Sequence, residues 1–154
     1  MIFTLIAMCF NYKNLTDPWR KITGKPPSDG IYHCDANSDG FQKPGWYRFS
    51  GDAGKHLATT PPSFVGEQRT YKQVCGTNKV GWMKGSHPTI NDGVQERTFC
   101  FQSKGGECQY EETSKVRTCP VEDEYTVYTK TFYVYYLKIP PLMGCHFAYC
   151  AVVK

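Results

Sequence analysis

Leucine is scarce, with five in 154 residues. Ala and Leu together number 11, against 35 for Thr, Val and Tyr. Helical bundles are rich in the first pair and pleated, half-buried surfaces in the second set, so strands are expected and a bundle is excluded. Long apolar runs are also missing. The stretch Met1–Phe10 covers ten residues, about half of what a membrane-crossing helix needs, so no membrane span is expected in this segment. Lys and Arg form no run of three, and the net charge is +4. A nucleic-acid binder carries a basic stripe or cluster, so nucleic acid is not an expected partner.

Catalytic motifs are missing as well. The chain has no G-x-S-x-G elbow, no H-E-x-x-H pair and no phosphate-binding glycine loop. Its 14 carboxylates do not sort into an acid/base pair from sequence. His33 adjoins Cys34, but catalytic partners meet in space rather than as sequence neighbours, and a disulfide would remove the thiolate. The expectation is a protein with no catalytic residues, no enzymatic activity and no cofactor.

What is present is cysteine and aromatic rings. The eight cysteines are Cys9, Cys34, Cys75, Cys100, Cys108, Cys119, Cys145 and Cys150, and 23 residues are aromatic. No C-x-x-C pair occurs, and the gaps are 24, 40, 24, 7, 10, 25 and 4 residues. Structural zinc sites need close ligand pairs, which only Cys145 and Cys150 approach. His33, His56, His87 and His146 stand in no zinc-type pairing. All eight cysteines are therefore expected in disulfides, which places the chain outside the cytosol. Spacing leaves the connectivity open. Leu, Ile, Val and Phe total 30 of 154 residues, a composition near the disordered range, but the low net charge and the abundant rings argue for a folded chain.

The length suits a single domain. Residues 1–8 read as an apolar leader or the start of a fragment. They have no basic residue before Lys13, and Cys9 falls too early for a signal-peptide cleavage region. Residues 9–150 read as one domain and 151–154 as a tail. Asp17 followed by Pro18 predicts a short helical turn within 11–22. Strands are expected at Trp46–Phe49, at 94–102, and over Tyr125–Ile139, with a bend near Thr129–Thr131 and an end at Pro140–Pro141. Residues 50–73, interrupted by Gly and Pro, read as mostly irregular. The expected fold is mainly β with short helical turns: a single disulfide-rich, loop-rich extracellular domain.

Three smaller patterns have ordinary readings beside functional ones. Asp35-x-Asn37-x-Asp39-Gly40 matches the first half of a calcium loop, but position 12, where a bidentate Glu belongs, is Trp46. A surface turn is favoured and no metal is expected, with Asp35, Asn37 and Asp39 the only calcium candidates. Asn14-Leu15-Thr16 is a sequon, which makes Asn14 the candidate glycosylation site in the secretory pathway. Trp19, Trp46 and Trp82 would stack on sugars if exposed, but core packing is the commoner role. Arg20 and Arg48 each lie close to an aromatic residue, where a guanidinium stacks on a ring.

Read in register, the residues carry a resemblance. Cys9-x-x-Tyr12-x-x-Leu15 is followed by Asp17-Pro18-Trp19-Arg20, Cys34-Asp35 and Gly45-Trp46-Tyr47-Arg48-Phe49 with Gly51 and Ala53-Gly54. Then come Cys75-Gly76-Thr77, Gly81-Trp82, Gly85-x-His87-Pro88, Asp92-Gly93 and Cys100-Phe101. Cys108, Cys119, Val134-Tyr135-x-Leu137, Pro140-Pro141, Cys145 and Tyr149-Cys150 complete the series. This order resembles the domain with eight conserved cysteines shared by uromodulin, the pancreatic zymogen-granule membrane glycoprotein and the liver-specific zona-pellucida-type protein. The resemblance implies an extracellular module without catalysis, set beside EGF-like and zona-pellucida-type domains in a longer chain.

Two departures bear on function. The ten-cysteine form of uromodulin has two further cysteines, one matching the stretch Pro61–Val65 and one beside Cys108. Neither is present here, which implies four bridges. Uromodulin's glycan motif in its final strand is also not reproduced, because Tyr136-Leu137-Lys138 has no Asn, and its other sequon corresponds to Lys84-Gly85-Ser86. Its role as a glycan decoy for bacterial adhesins is therefore not carried over.

The function expected is a non-enzymatic extracellular binding or scaffolding module. It would be a fragment of a larger secreted or surface glycoprotein whose partners are extracellular proteins or glycans. The alternatives are a carbohydrate-binding module using exposed aromatics and, behind it, a disulfide-rich hydrolase or toxin.

Overall fold

The computed structural model describes residues 7–22, 34–35, 43–61, 75, 77, 79–102, 108–121, 130–139 and 147–153. Nine strands run through them: β1 Lys13–Leu15, β2 Gly45–Phe49, β3 His56–Leu57, β4 Lys79–Lys84, β5 Gln95–Gln102, β6 Cys108–Pro120, β7 Thr131–Leu137, β8 Phe147–Tyr149 and β9 Ala151–Val152. Seven form one sheet in the order β1-β2-β7-β6-β5-β4-β8, and β3 pairs with β9. The four inner pairings are antiparallel, and the two edge pairings, β1 with β2 and β4 with β8, are parallel. The helical content described is four single 3-10 turns, at Ala7–Cys9, Pro18–Arg20, Gly51–Ala53 and Ile90–Asp92.

Period-2 alternation explains which face carries the core. In β7, Tyr135 and Leu137 are fully buried and Tyr133 packs beside them. The alternate residues Phe132 and Val134 instead meet Cys9, Cys119, Met8, Tyr12 and Trp46 on the other face. Phe99 and Phe101 share the main core, as their spacing predicts. Leu15, Tyr47, Phe49, Met83, Val116, Phe147 and Tyr149 join it, with Leu57, Ala53 and Ala151 filling the smaller spaces. Rings fill the space that leucine would fill elsewhere, and each fully buried large side chain contributes about 1.5–3 kcal/mol.

The strand expectations meet mixed outcomes. The 94–102 strand is present as β5, and Trp46–Phe49 gains Gly45 as β2. The long final strand is present over Thr131–Leu137, whereas 125–129 and Pro140–Pro141 lie outside the described residues. The turn anticipated after Asp17 forms at Pro18–Arg20 with Pro at its start, but the Asp17 side chain does not cap it. That carboxylate accepts the Arg20 Nε hydrogen at 2.9 Å instead. β6, the longest strand, was not anticipated. Its sequence CQYEETSKVRTCP is mostly polar, yet it alternates: Ser114, Val116 and Thr118 are buried while Gln109, Glu111, Thr113 and Lys115 are exposed. Ser114 and Thr118 donate their hydroxyls to the Tyr136 and Pro88 carbonyls at 2.5 and 2.6 Å. These two hydroxyls therefore occupy inward positions with their hydrogen bonds made.

Three bridges between described cysteines staple this sheet. Cys9–Cys119 spans 110 residues and fixes the N-terminal turn onto the outer face of β6 and β7. Cys75–Cys150 spans 75 residues and holds the segment after β8. Cys100–Cys108 spans 8 and closes the β5–β6 hairpin beside the register shift at Phe101/Gln102. Cys34 is also disulfide-bonded, while Cys145 lies outside the described residues. No described cysteine is free.

Candidate functional site

The most distinctive feature of the surface arises where the sheet splits. The β2–β7 ladder stops at Tyr47↔Tyr135. Past that point β2 pairs with β1, ending at Leu15↔Phe49, and β7 pairs with β6, ending at Pro120↔Thr131. The two strands therefore diverge and leave a wedge-shaped cleft of about 590 Å³. The Gly51–Ala53 turn and β3 bring Lys55 and His56 to one wall, and the start of β7 brings Lys130 to the other. Gly51 (φ 59°) and Gly54 (φ 106°) make this sharp return possible, since both lie in the left-handed region.

Arg48 is held within this cleft. Its guanidinium sits 3.9 Å from the Phe132 ring centroid and donates to Tyr12 Oη at 3.0 Å. Sequence proximity placed Arg48 beside its own neighbours, but the rings it meets come from β7 and the N-terminal segment. Its Nε is buried with no hydrogen-bond partner in the protein. Arg48, Lys55, Lys130 and His56 line the cleft, and no carboxylate is among the described lining residues. Ser50, also in the wall, donates to Asn14 Oδ1 at 3.0 Å. The sequon asparagine is thus on an exposed edge strand close to the rim.

Behind the cleft lies a ring cluster. His87 stacks on Tyr133 at 4.0 Å between centroids and meets His56 edge-on at 5.0 Å. Its Nε2 lies 2.6 Å from Tyr135 Oη, which accepts the Leu57 N–H at 3.0 Å. His87 Nε2 and the Tyr135 hydroxyl share this hydrogen bond, with donor and acceptor set by the imidazole tautomer. Burial first, then the neighbouring His56 and Arg97 charges, lowers the His87 pKa to about 4. Burial likewise pushes the Tyr135 hydroxyl well above its ordinary value. A neutral histidine bonded to a neutral tyrosine fits structural packing more readily than proton transfer.

The remaining candidates are distributed. Asp35 is wholly buried: one carboxylate oxygen pairs with Arg20 and the other accepts the Tyr149 N–H at 2.7 Å. Asn37 and Asp39, the other calcium candidates, lie outside the described residues, as do His33 and His146. Among the described residues no group of three His, Cys, Asp or Glu side chains is disposed to hold a metal ion. Trp82 is buried and donates to Gln102 at 3.2 Å, while Trp19 and Trp46 are half-buried. Arg20 stacks on Trp19 at 4.5 Å. Phe10 is the one exposed aromatic ring among the described residues, so a row of exposed stacking rings is not found there. Sequence reading overlooked the cleft because its four basic groups come from separate segments. The one local signal was the glycine pair around 51–54.

Comparison with known proteins gives a consistent result. A family model described as a uromodulin-like domain matches residues 47–151. Mouse uromodulin is 32% identical over 143 residues, covering 92% of this chain and 18% of its own length. The dog pancreatic secretory granule membrane major glycoprotein GP2 is 32% identical over 142 residues, covering 92% of this chain and 23% of its own. The human form of that glycoprotein is 31% identical over 146 residues, covering 95% and 22%. The chain thus spans about a fifth of the length of the curated relatives it matches. No helix among the described residues is long and apolar enough to cross a membrane.

Proposed function

The chain belongs to the family of uromodulin-like domains, and from that membership we propose that it serves as a non-enzymatic, disulfide-stabilised extracellular module within a larger secreted or surface glycoprotein. It binds or positions extracellular proteins or glycans and carries an N-glycan at Asn14. Residues 9–150 act as its unit, with EGF-like or zona-pellucida-type domains as its neighbours. The observation that carries this reading is the family match, together with relatives that are several times longer. The oxidised state of the described cysteines supports an extracellular setting.

The test is expression of the chain behind a signal sequence in mammalian cells. The expected product is secreted, free of reactive thiols, and shifted in mass by an amidase that removes N-glycans. Asn14→Gln abolishes that shift. Intracellular retention with free thiols would overturn the reading. A carbohydrate-binding role through stacked exposed rings finds less support, because Phe132 and Tyr133 are already covered by Arg48 and His87.

A further inference from the structure

We propose that the cleft between the diverging ends of β2 and β7 is a binding site for an acidic sugar, one whose carboxylate or sulfate is received by Arg48, Lys55 and Lys130. The proposal rests on the extracellular reading above and names the ligand class of that module. The site has three physical components. Arg48 is preorganised, stacked on Phe132 and tied to Tyr12, so little side-chain freedom is lost when an anion arrives. Lys55 and Lys130 stand exposed on opposite walls, and no carboxylate among the described lining residues neutralises them. At about 590 Å³ the cleft falls in the range of small-ligand sites.

The shape favours a sugar over a peptide. The wedge closes where the β2–β7 ladder resumes at Tyr47↔Tyr135, so it admits one headgroup rather than a run of extended chain. Thr131 in its wall offers a hydroxyl to a sugar oxygen, and Ser50, whose proton goes to Asn14, can accept from a sugar hydroxyl. The rings are engaged with Arg48 and His87, so charge rather than stacking supplies the affinity.

The test is titration of the secreted, oxidised 154-residue chain with 3′-sialyllactose and 6-sulfated lactose, with lactose and hexaglutamate as comparison ligands. Saturable binding of either acidic sugar, absent with lactose and weakened by about 0.5 M salt, is the expected result, and the two sugars distinguish carboxylate from sulfate. Lys55→Glu with Lys130→Glu weakens binding about tenfold or more. Both lysines are exposed, so the variant keeps its melting temperature and its bridges. Lys43→Glu with Lys115→Glu, the same charge change on exposed residues outside the cleft, leaves binding intact. Equal loss in that control, equal binding of lactose, or tighter binding of hexaglutamate overturns the proposal.

Residues 122–129, which lie between Val121 and Lys130 in the sequence, contain Glu122, Asp123 and Glu124. Replacing all three by Gln or Asn leaves binding unchanged or tighter. Binding that needs these acids, or that appears only after their removal, overturns the proposal for this chain. Absence of binding by a secreted, thiol-free chain refutes the acidic-sugar site and leaves the module reading standing.

Discussion

Arg20 and Asp35 form an ion pair whose side chains are both wholly buried, and together they grip a single residue of β8. Arg20 Nη1 donates to the Tyr149 carbonyl at 3.1 Å, and the Tyr149 N–H donates to Asp35 at 2.7 Å. Burial depresses the Arg20 pKa, but Asp35 and Asp17 outweigh it and the net shift is upward, so the guanidinium stays charged. The pair ties the Pro18–Arg20 turn and the region around Cys34 to β8, a connection no strand ladder supplies.

The first prediction concerns this lock. Arg20→Met leaves Asp35 charged and unpaired in the interior, which costs about 3–5 kcal/mol. Asp35→Leu removes the buried partner of Arg20 and leaves it only the partly exposed Asp17, so it costs somewhat less. The double variant costs clearly less than the sum, because neither charge remains. Guanidinium denaturation of the four proteins measures the coupling, and additive losses would show that the two residues act independently.

His87 makes stability depend on pH. Its folded pKa, about 4, lies below the unfolded value near 6.5. Between these values the unfolded chain binds more protons, so stability rises with pH across this window and falls as pH drops from about 6.5 to 4. The full effect is about 3 kcal/mol at most. Denaturation of the native chain and of His87→Gln at several pH values isolates it. The variant should lose that share of the slope between pH 6.5 and 4, and identical slopes would refute the assignment.

Gly81 sits in β4 because nothing larger fits. A Cβ there would lie 2.8 Å from the Phe101 ring and 3.0 Å from the Tyr149 ring. Gly81→Ala should therefore cost about 1–3 kcal/mol through overpacking. Gly45→Ala is the matched control, since its Cβ would meet only Tyr47 at 4.0 Å. Thermal unfolding compares them, and equal melting temperatures would contradict the close approach.

The bridges should differ in worth by the loops they close. On loop-entropy grounds a closure of about 110 residues contributes about 4.8 kcal/mol and one of about 8 contributes about 2.5. Replacing Cys9 and Cys119 by Ser should therefore lower the melting temperature more than replacing Cys100 and Cys108, which are separated by 110 and 8 residues respectively. Peptide mapping without reduction should recover those two pairs and Cys75–Cys150, and should join Cys34 to the remaining cysteine, Cys145. Any other pairing refutes the assignment.

The class of the fold was legible in local composition. Poverty in leucine, wealth in Thr, Val and Tyr, and a full set of cysteines dictate a ring-filled, cross-linked β domain, because these properties act residue by residue. Residue positions along the chain also marked the 94–102 strand and the strand ending before Pro140–Pro141, for the same reason. The strand β6 is not legible from apolar runs because most of its residues are polar, although Tyr110, Ser114, Val116 and Thr118 keep the period of 2.

What tertiary structure alone decided is who meets whom. Arg48 lies beside Tyr47 and Phe49 in sequence but stacks on Phe132, 84 positions away. Asp35 matches a calcium loop by pattern yet is used up by Arg20 and Tyr149. The cleft exists only because β2 and β7 part company after Tyr47↔Tyr135. Strand partners, register and buried ion pairs are set by long-range packing, in which each contact depends on every other element finding its place, and no short window of residues carries that information.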